Sequence, residues 1–218
     1  IPMRIMSTLL ALFGLIAVSA GQAQETSGNA SYSVDSDASW LRVLAWPDGP
    51  LKRFGHHHVI SNGNISGTVE VAPDPLESTF ALRLSVAELV VDDPDLRAQE
   101  GEEFEGEVPA DDIEGTRGNM LGEDLLHGEQ FPTIGIQSSS IEGSLPDVNI
   151  VAVFTVKGVA QTVTIPASVE LTDNSFTASG EVDLTHDAFG LAPFTAMGGA
   201  LSVRDLLVFK YHITGTRD

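Results

Sequence analysis

Apolar and polar positions alternate with a period of two over much of this chain. The clearest stretch is 79–91, where Phe80, Leu82, Leu84 and Val86 alternate with Ala81, Arg83, Ser85 and Ala87. Successive side chains of a strand face opposite ways, so this pattern predicts a strand with one buried and one wet face. The same period recurs in Val148, Ile150, Ala152, Phe154 and Val156, in Val163, Ile165, Ala167, Val169 and Leu171, and in Val203, Leu207, Phe209, Tyr211 and Ile213. Segments 40–46, 65–71, 133–141 and 176–184 bring the total to about eight strands, joined by turn chemistry such as Lys157-Gly158 and Thr172-Asp173-Asn174. Short connections between consecutive strands imply an antiparallel meander. Eight strands of this length close into an up-and-down barrel, whose interior is filled by side chains or holds one small ligand; a β-sandwich is the alternative. The predicted class is all-β, an eight-stranded antiparallel barrel carrying one helical, acidic insertion.

That insertion lies between Val91 and Phe131, where the alternation stops. Residues 92–130 hold fourteen acids against Arg97 and Arg117, a local charge of −12. A connection of about 40 residues is too long for a hairpin loop and is expected to carry its own structure, as a lid over one barrel mouth. Pro109 followed by Asp111 and Asp112 reads as a helix start, and Met120, Leu121, Asp124, Leu125 and Leu126 as a second short helical turn with an apolar face. The acids themselves read as a solvated, solubilising surface; no loop with EF-hand spacing is present for calcium.

Residues 9–20 form an apolar run preceded by Arg4 and followed by Ser19, Ala20, Gly21 and Ala23. This is the grammar of a secretory signal, and the run is shorter than the roughly 20 residues a membrane-spanning helix needs. The expected organisation is a signal peptide over 1–23, a short polar lead over 24–31 and one barrel domain over 32–218, exported and with no stable membrane insertion after cleavage. Composition narrows the chemistry. With 11 basic and 31 acidic side chains the formal charge is −20, which argues against a nucleic-acid binder. Cysteine is absent, which excludes disulfides, thiolate metal sites and thiol nucleophiles.

The segment Arg117-Gly118-Asn119-Met120-Leu121, followed by Phe131-Pro132-Thr133-Ile134 and Ser138, resembles a stretch of the YceI family. Phe154-Thr155-Val156-Lys157-Gly158-Val159, with Gln161 and Val163, is similar to that family's Gly-Val hairpin, and Thr185-His186-Asp187-Ala188-Phe189-Gly190-Leu191 to its Asp-Phe-Gly-Ile motif. The likeness spans about 32–215. Met120 stands where the family has a histidine, His186 near its usual arginine, and Gln161-Thr162 where Thr-Lys-Pro is typical; with the run 49–58, these departures mark a divergent branch. The resemblance implies a periplasmic, lipocalin-like barrel that holds a polyisoprenoid chain such as a polyprenyl phosphate or a quinone tail. Each buried methylene is worth roughly 0.8 kcal/mol, so a dry tunnel holds such a tail strongly without any reaction. No cofactor is expected, and a homodimer is possible.

Candidate ligand-lining residues are Phe80, Leu82, Leu84, Phe154, Phe189 and Leu207 from the strands, with Met120, Leu121, Leu125 and Phe131 closing a mouth from the insertion; plain core packing is the competing reading for each. His56, His57 and His58 are consecutive. On a strand His56 and His58 share a face and could hold a metal with a third ligand, or His58 could hydrogen-bond a head group with Arg117 or Arg53 supplying charge. Catalysis has little support: no nucleophile elbow, zincin or phosphate-loop motif occurs, and adjacent His186 and Asp187 with Ser138 make poor triad material. Three roles stay open at this point: an apolar-tail carrier, a histidine-dependent metal binder, and a filled barrel whose acidic insertion docks a basic partner.

Overall fold

The computed structural model describes residues 28–218; the expected signal segment and the first half of the lead, 24–27, lie outside the described residues. Eight strands form one closed sheet. β1 comprises Ala30–Val34 and Trp40–Ala45, β2 His58–Asn62 and Ile65–Val71, and β3 Thr79–Ser85 and Val90–Val91. They are followed by β4 (Thr133–Ser144), β5 (Asp147–Val156), β6 (Val159–Leu171), β7 (Ser175–Thr185) and β8 (Leu206–Arg217). Each pairs antiparallel with the next. The ring closes because β8 pairs with both parts of β1, Tyr32 opposite Arg217 and Phe209 opposite Val43. Pairing of the last strand with the first closes the ring and decides for a barrel against a sandwich.

The alternating faces explain the inside. Val148, Ile150, Ala152 and Val156 of β5 are buried with Val163, Ile165 and Ala167 of β6 in the main apolar cluster, and Tyr32, Ile65, Leu82, Leu84, Phe176 and Ile213 form a second cluster beside it. Lys157 and Gly158 both take positive φ, 50° and 74°, and make the tight hairpin between β5 and β6.

Up-and-down order puts alternate connections at opposite ends. One end has the short links 72–78, 145–146 and 172–174 and is plugged by Tyr32, whose ring meets Phe176 edge-on at 6.0 Å and whose hydroxyl donates to the Thr172 carbonyl at 3.0 Å. The other end carries all three long connections: 46–57, 92–132 and 186–205. There Pro47–Asp48, Leu201–Val203 and Thr195–Ala196 add a small three-stranded sheet.

The insertion has two parts. Its first, with the short helix α1 (Pro94–Arg97), straps the outside of the barrel, burying Phe104 completely against Leu44, Val59, Trp46 and Val208. Its second, helix α2 (Ala110–Leu121), begins directly after Pro109 with Asp111 and Asp112 in its first turn and lies at the mouth. The expected second helix is corrected: Met120 and Leu121 finish α2, and residues 123–126 form a run of turns. Two further corrections concern strands. Ala30–Val34 and His58–Asn62, not among the expected strands, are ladder segments, and the second places His58 in the sheet.

Candidate functional site

Inside the barrel lies a cavity of about 560 Å³, opening at the end that carries the long connections. Its walls are almost wholly hydrocarbon. Phe80, Leu82, Leu84, Phe154, Phe189 and Leu207 line it from β3, β5, β8 and the turn after β7, and Met120 and Leu125 from the insertion. Phe189 forms the centre of an aromatic row, 5.4 Å from Phe154 and 5.1 Å from Phe209. Interiors normally pack to crystal density, so a void of this size among large side chains is a binding feature and not a packing remainder.

Four residues expected at the mouth do not line it. Phe131 sits under the β5–β6 hairpin, so close that a Cβ on Gly158 would come 2.7 Å from its ring, and meets His127 edge-on at 5.7 Å. Leu121 packs into the main cluster. Arg117 donates to the Ala87 carbonyl at 2.6 Å, tying α2 to the turn inside β3, and faces no cavity. Arg53 likewise stays outside, its guanidinium 4.6 Å over the Phe54 ring.

Polar groups gather at the open end. His56, His58, Asp111, Asp112, Asn119 and His186 reach the cavity there. His56 and His58 share a face with rings 6.3 Å apart, while His57 turns away to the Glu103 carbonyl at 2.7 Å. His56 Nε2 lies 3.2 Å from Asp112 of α2, which links the β2 end to the helix over the mouth. His186 Nδ1 lies 3.0 Å from the Asp205 carbonyl. Ser138 is remote, accepting from the Phe80 amide at 2.9 Å, so no Ser/His/Asp grouping forms from the residues weighed in the sequence.

His58 is held by a buried charge pair that the sequence did not reveal. Its Nδ1 donates to Asp92 Oδ2 at 2.6 Å, and Asp92 Oδ1 accepts from the Val59 amide at 2.8 Å and from Arg97 Nη1 at 2.6 Å. Asp92 is 2 % exposed and Arg97 6 %. Burial pushes the Asp92 carboxyl up, but the bonds from His58, Val59 and Arg97 outweigh it, and its pKa falls below the ordinary carboxylate value. An anionic Asp92 fixes the His58 tautomer with hydrogen on Nδ1. Nε2 is then the ring nitrogen left for the cavity, an acceptor when the ring is neutral and a donor when it is protonated. Arg97 also donates to the His57 carbonyl at 2.5 Å, while its Nε has no partner.

A second buried pair clamps the strap from outside. Glu100 accepts from Arg42 and from Lys210, each at 2.7 Å, two cations that are register partners on β1 and β8. Burial raises the Glu100 carboxyl, and the hydrogen bonds from Lys210 and Arg42 more than reverse that. Most of the insertion's acids are exposed as expected, but Asp92 and the Glu100 side chain are corrections to the solvated reading. Among the described residues no group of three or more His, Asp or Glu side chains is placed to hold a metal ion, and no helix is long and apolar enough to cross a membrane.

Closed barrel, apolar cavity and helical insertion coincide with a family model, that of the YceI-like domain, which matches residues 32–214. The chain belongs to the YceI-like family. Solved structures share the YceI-like fold at low identity. A protein of Burkholderia cenocepacia, BcnA, is 18% identical with a TM-score of 0.59, covering 83% of this chain and 98% of its own. A polyisoprenoid-binding domain from Saccharophagus degradans, implicated in plant cell wall breakdown, is 10% identical with a TM-score of 0.57, covering 87% and 99%. The Campylobacter jejuni YceI protein is 11% identical with a TM-score of 0.52, covering 73% and 84%. A search of curated proteins finds no match.

Proposed function

We propose that this YceI-like domain is an exported, periplasmic binding protein that holds a lipid with a long apolar tail, a polyisoprenoid such as a polyprenyl phosphate, polyprenol or quinone, as carrier or buffer. The observation that carries the reading is the hydrocarbon-walled cavity of about 560 Å³ with polar groups at one end. Such a void is unfavourable when filled with water and favourable when filled with methylenes, each worth roughly 0.8 kcal/mol. The solved relative from Saccharophagus degradans, described as polyisoprenoid-binding, supports the same class. The tail lies along the aromatic row of Phe154, Phe189 and Phe209, and the head group stays at the mouth, where His58 Nε2 and Asn119 offer hydrogen bonds. This role needs no reaction.

The test is organic extraction and mass spectrometry of the protein purified from its native compartment without detergent. A stoichiometric isoprenoid lipid is the expected result and names the head group. An empty protein that also takes up no polyprenol from detergent micelles would overturn the reading.

A further inference from the structure

Within two of the long connections at the open end lie stretches that lack the acids found through the rest of the chain. Segments 49–58 and 194–204 contain Lys52, Arg53 and Arg204 and no acid, in a protein with 31 acidic and 11 basic residues. They also carry two exposed hydrophobic side chains, Phe54 at 63% and Met197 at 74%. The segments touch: the Leu51 amide donates to the Ala200 carbonyl at 2.9 Å, and a Cβ on Gly55 would come 3.2 Å from Leu201.

The backbone is shaped to push these side chains outward. Met197 takes φ +53° and is followed by Gly198 and Gly199 at +66° and +89°, so the tip turns through three left-handed residues with Met197 at its start. Lys52 and Arg53 are exposed on the short 3₁₀ turn that ends at Phe54. Phe54, Gly55, Phe194 and Leu201 also line the cavity, so the exposed apolar rim is continuous with the hydrocarbon interior. Acids flank the rim: Asp48 and Asp205 adjoin the two segments in sequence, the latter near His186, and Asp111 and Asp112 face the mouth from α2.

We propose that this rim is a docking surface for an anionic lipid bilayer, which Phe54 and Met197 enter and whose head groups Lys52, Arg53 and Arg204 meet. Charge complementarity selects the bilayer: a large apolar tip beside clustered cations is the chemistry of an interfacial anchor, and each basic residue at an anionic surface is worth about a fivefold gain in affinity. At physiological ionic strength the screening length is about 8 Å, so acids farther from the rim than that weigh little once it is in contact, whereas Asp48, Asp111, Asp112 and Asp205 subtract from the attraction that the three cations and the two apolar tips supply. Docking would set the cavity mouth against the membrane, and a lipid could pass between them without exposing its tail to water; that passage rests on the carrier reading, whereas docking does not.

The test is flotation of the full chain with vesicles in which roughly a third of the lipid is phosphatidylglycerol, against pure phosphatidylcholine vesicles. Binding to the first alone, weakened by salt, is expected. Lys52→Glu with Arg53→Glu should lower it at least 30-fold, and Phe54→Ser with Met197→Ser more than tenfold, with unchanged unfolding midpoints. Uptake of a polyprenol from detergent micelles by the Lys52→Glu/Arg53→Glu variant should match the parent protein, which separates failure of docking from failure of the cavity. Absence of flotation, equal flotation of the variants, or binding to an acidic polypeptide in place of vesicles would overturn the proposal.

Discussion

Ala178→Phe tests the cavity from its deep end. Ala178 lines the cavity opposite Ile213 of β8 and Val169 of β6, well away from the mouth. A phenyl ring there fills space that a long tail would otherwise occupy, displacing about four methylenes. At roughly 0.8 kcal/mol each the loss is about 3 kcal/mol, on the order of a 200-fold fall in affinity for a polyprenol. Geraniol, whose short tail does not reach the deep end, should bind as before. Stability supplies the second arm. Forcing extra carbons into a filled core costs about 1–3 kcal/mol, whereas placing them in a void costs little or adds apolar contact. Titration of both alcohols from micelles, with urea unfolding alongside, reads both effects. Unchanged polyprenol affinity, or destabilisation by 2 kcal/mol or more, would show that the interior is not the tail site and would refute the argument.

Four further outcomes follow from the same geometry. Asp92→Ala leaves Arg97 buried without its partner and the Val59 amide unpaired, and should cost about 3–5 kcal/mol in urea unfolding; a loss under 1 kcal/mol would count against the network. Asp92 and Glu100 both have folded pKa values below their ordinary values of 3.8 and 4.5, so their contribution is complete above about pH 5 and is lost as pH falls through that range toward the folded values; acid titration of stability should show the decline, and Glu100→Gln should flatten part of it. Gly158→Ala places a Cβ against Phe131 at positive φ and should cost about 1–3 kcal/mol, part of it recovered in the Gly158→Ala/Phe131→Ala double variant; equal cost in both backgrounds would exclude the contact. His58→Phe should leave binding of a plain isoprenoid hydrocarbon within about twofold while weakening a polyprenol up to about tenfold, and an equal effect on both would remove His58 from head-group recognition.

The barrel was legible because four of its strands, β3, β5, β6 and β8, carry period-two alternation strong enough to read without context, and the runs 40–46, 65–71, 133–141 and 176–184 complete the count. β3 shows where the pattern misleads: its alternation runs on through Val86, but Val86–Glu88 is a turn, and Val86 reaches the core because its amide bonds the Pro132 carbonyl. Ala30–Val34 alternates too, yet its serines and its place beside a polar lead hide it; what makes it a strand is pairing with β8, about 180 residues away. The inward phenylalanines and leucines were readable as one face of each strand. Phe131 and Arg117 were not, since they belong to a connection whose path is set by long-range packing. Nor can composition separate Asp92 and Glu100 from the insertion's other acids: their partners His58, Arg42 and Lys210 come from distant strands, and pairing alone makes their burial tolerable.

The arrangement of connections makes the molecule a blind tube. Three short links and the Tyr32–Phe176 plug close one end, and the three long connections surround the other. In the proposed carrier role a tail would go in tip first and come out head first through the same opening, and whatever received the lipid would always meet its polar end. Loading and unloading would then share one gate, their rates set by the helix and rim at the mouth, while the wall that solvates the chain need never move.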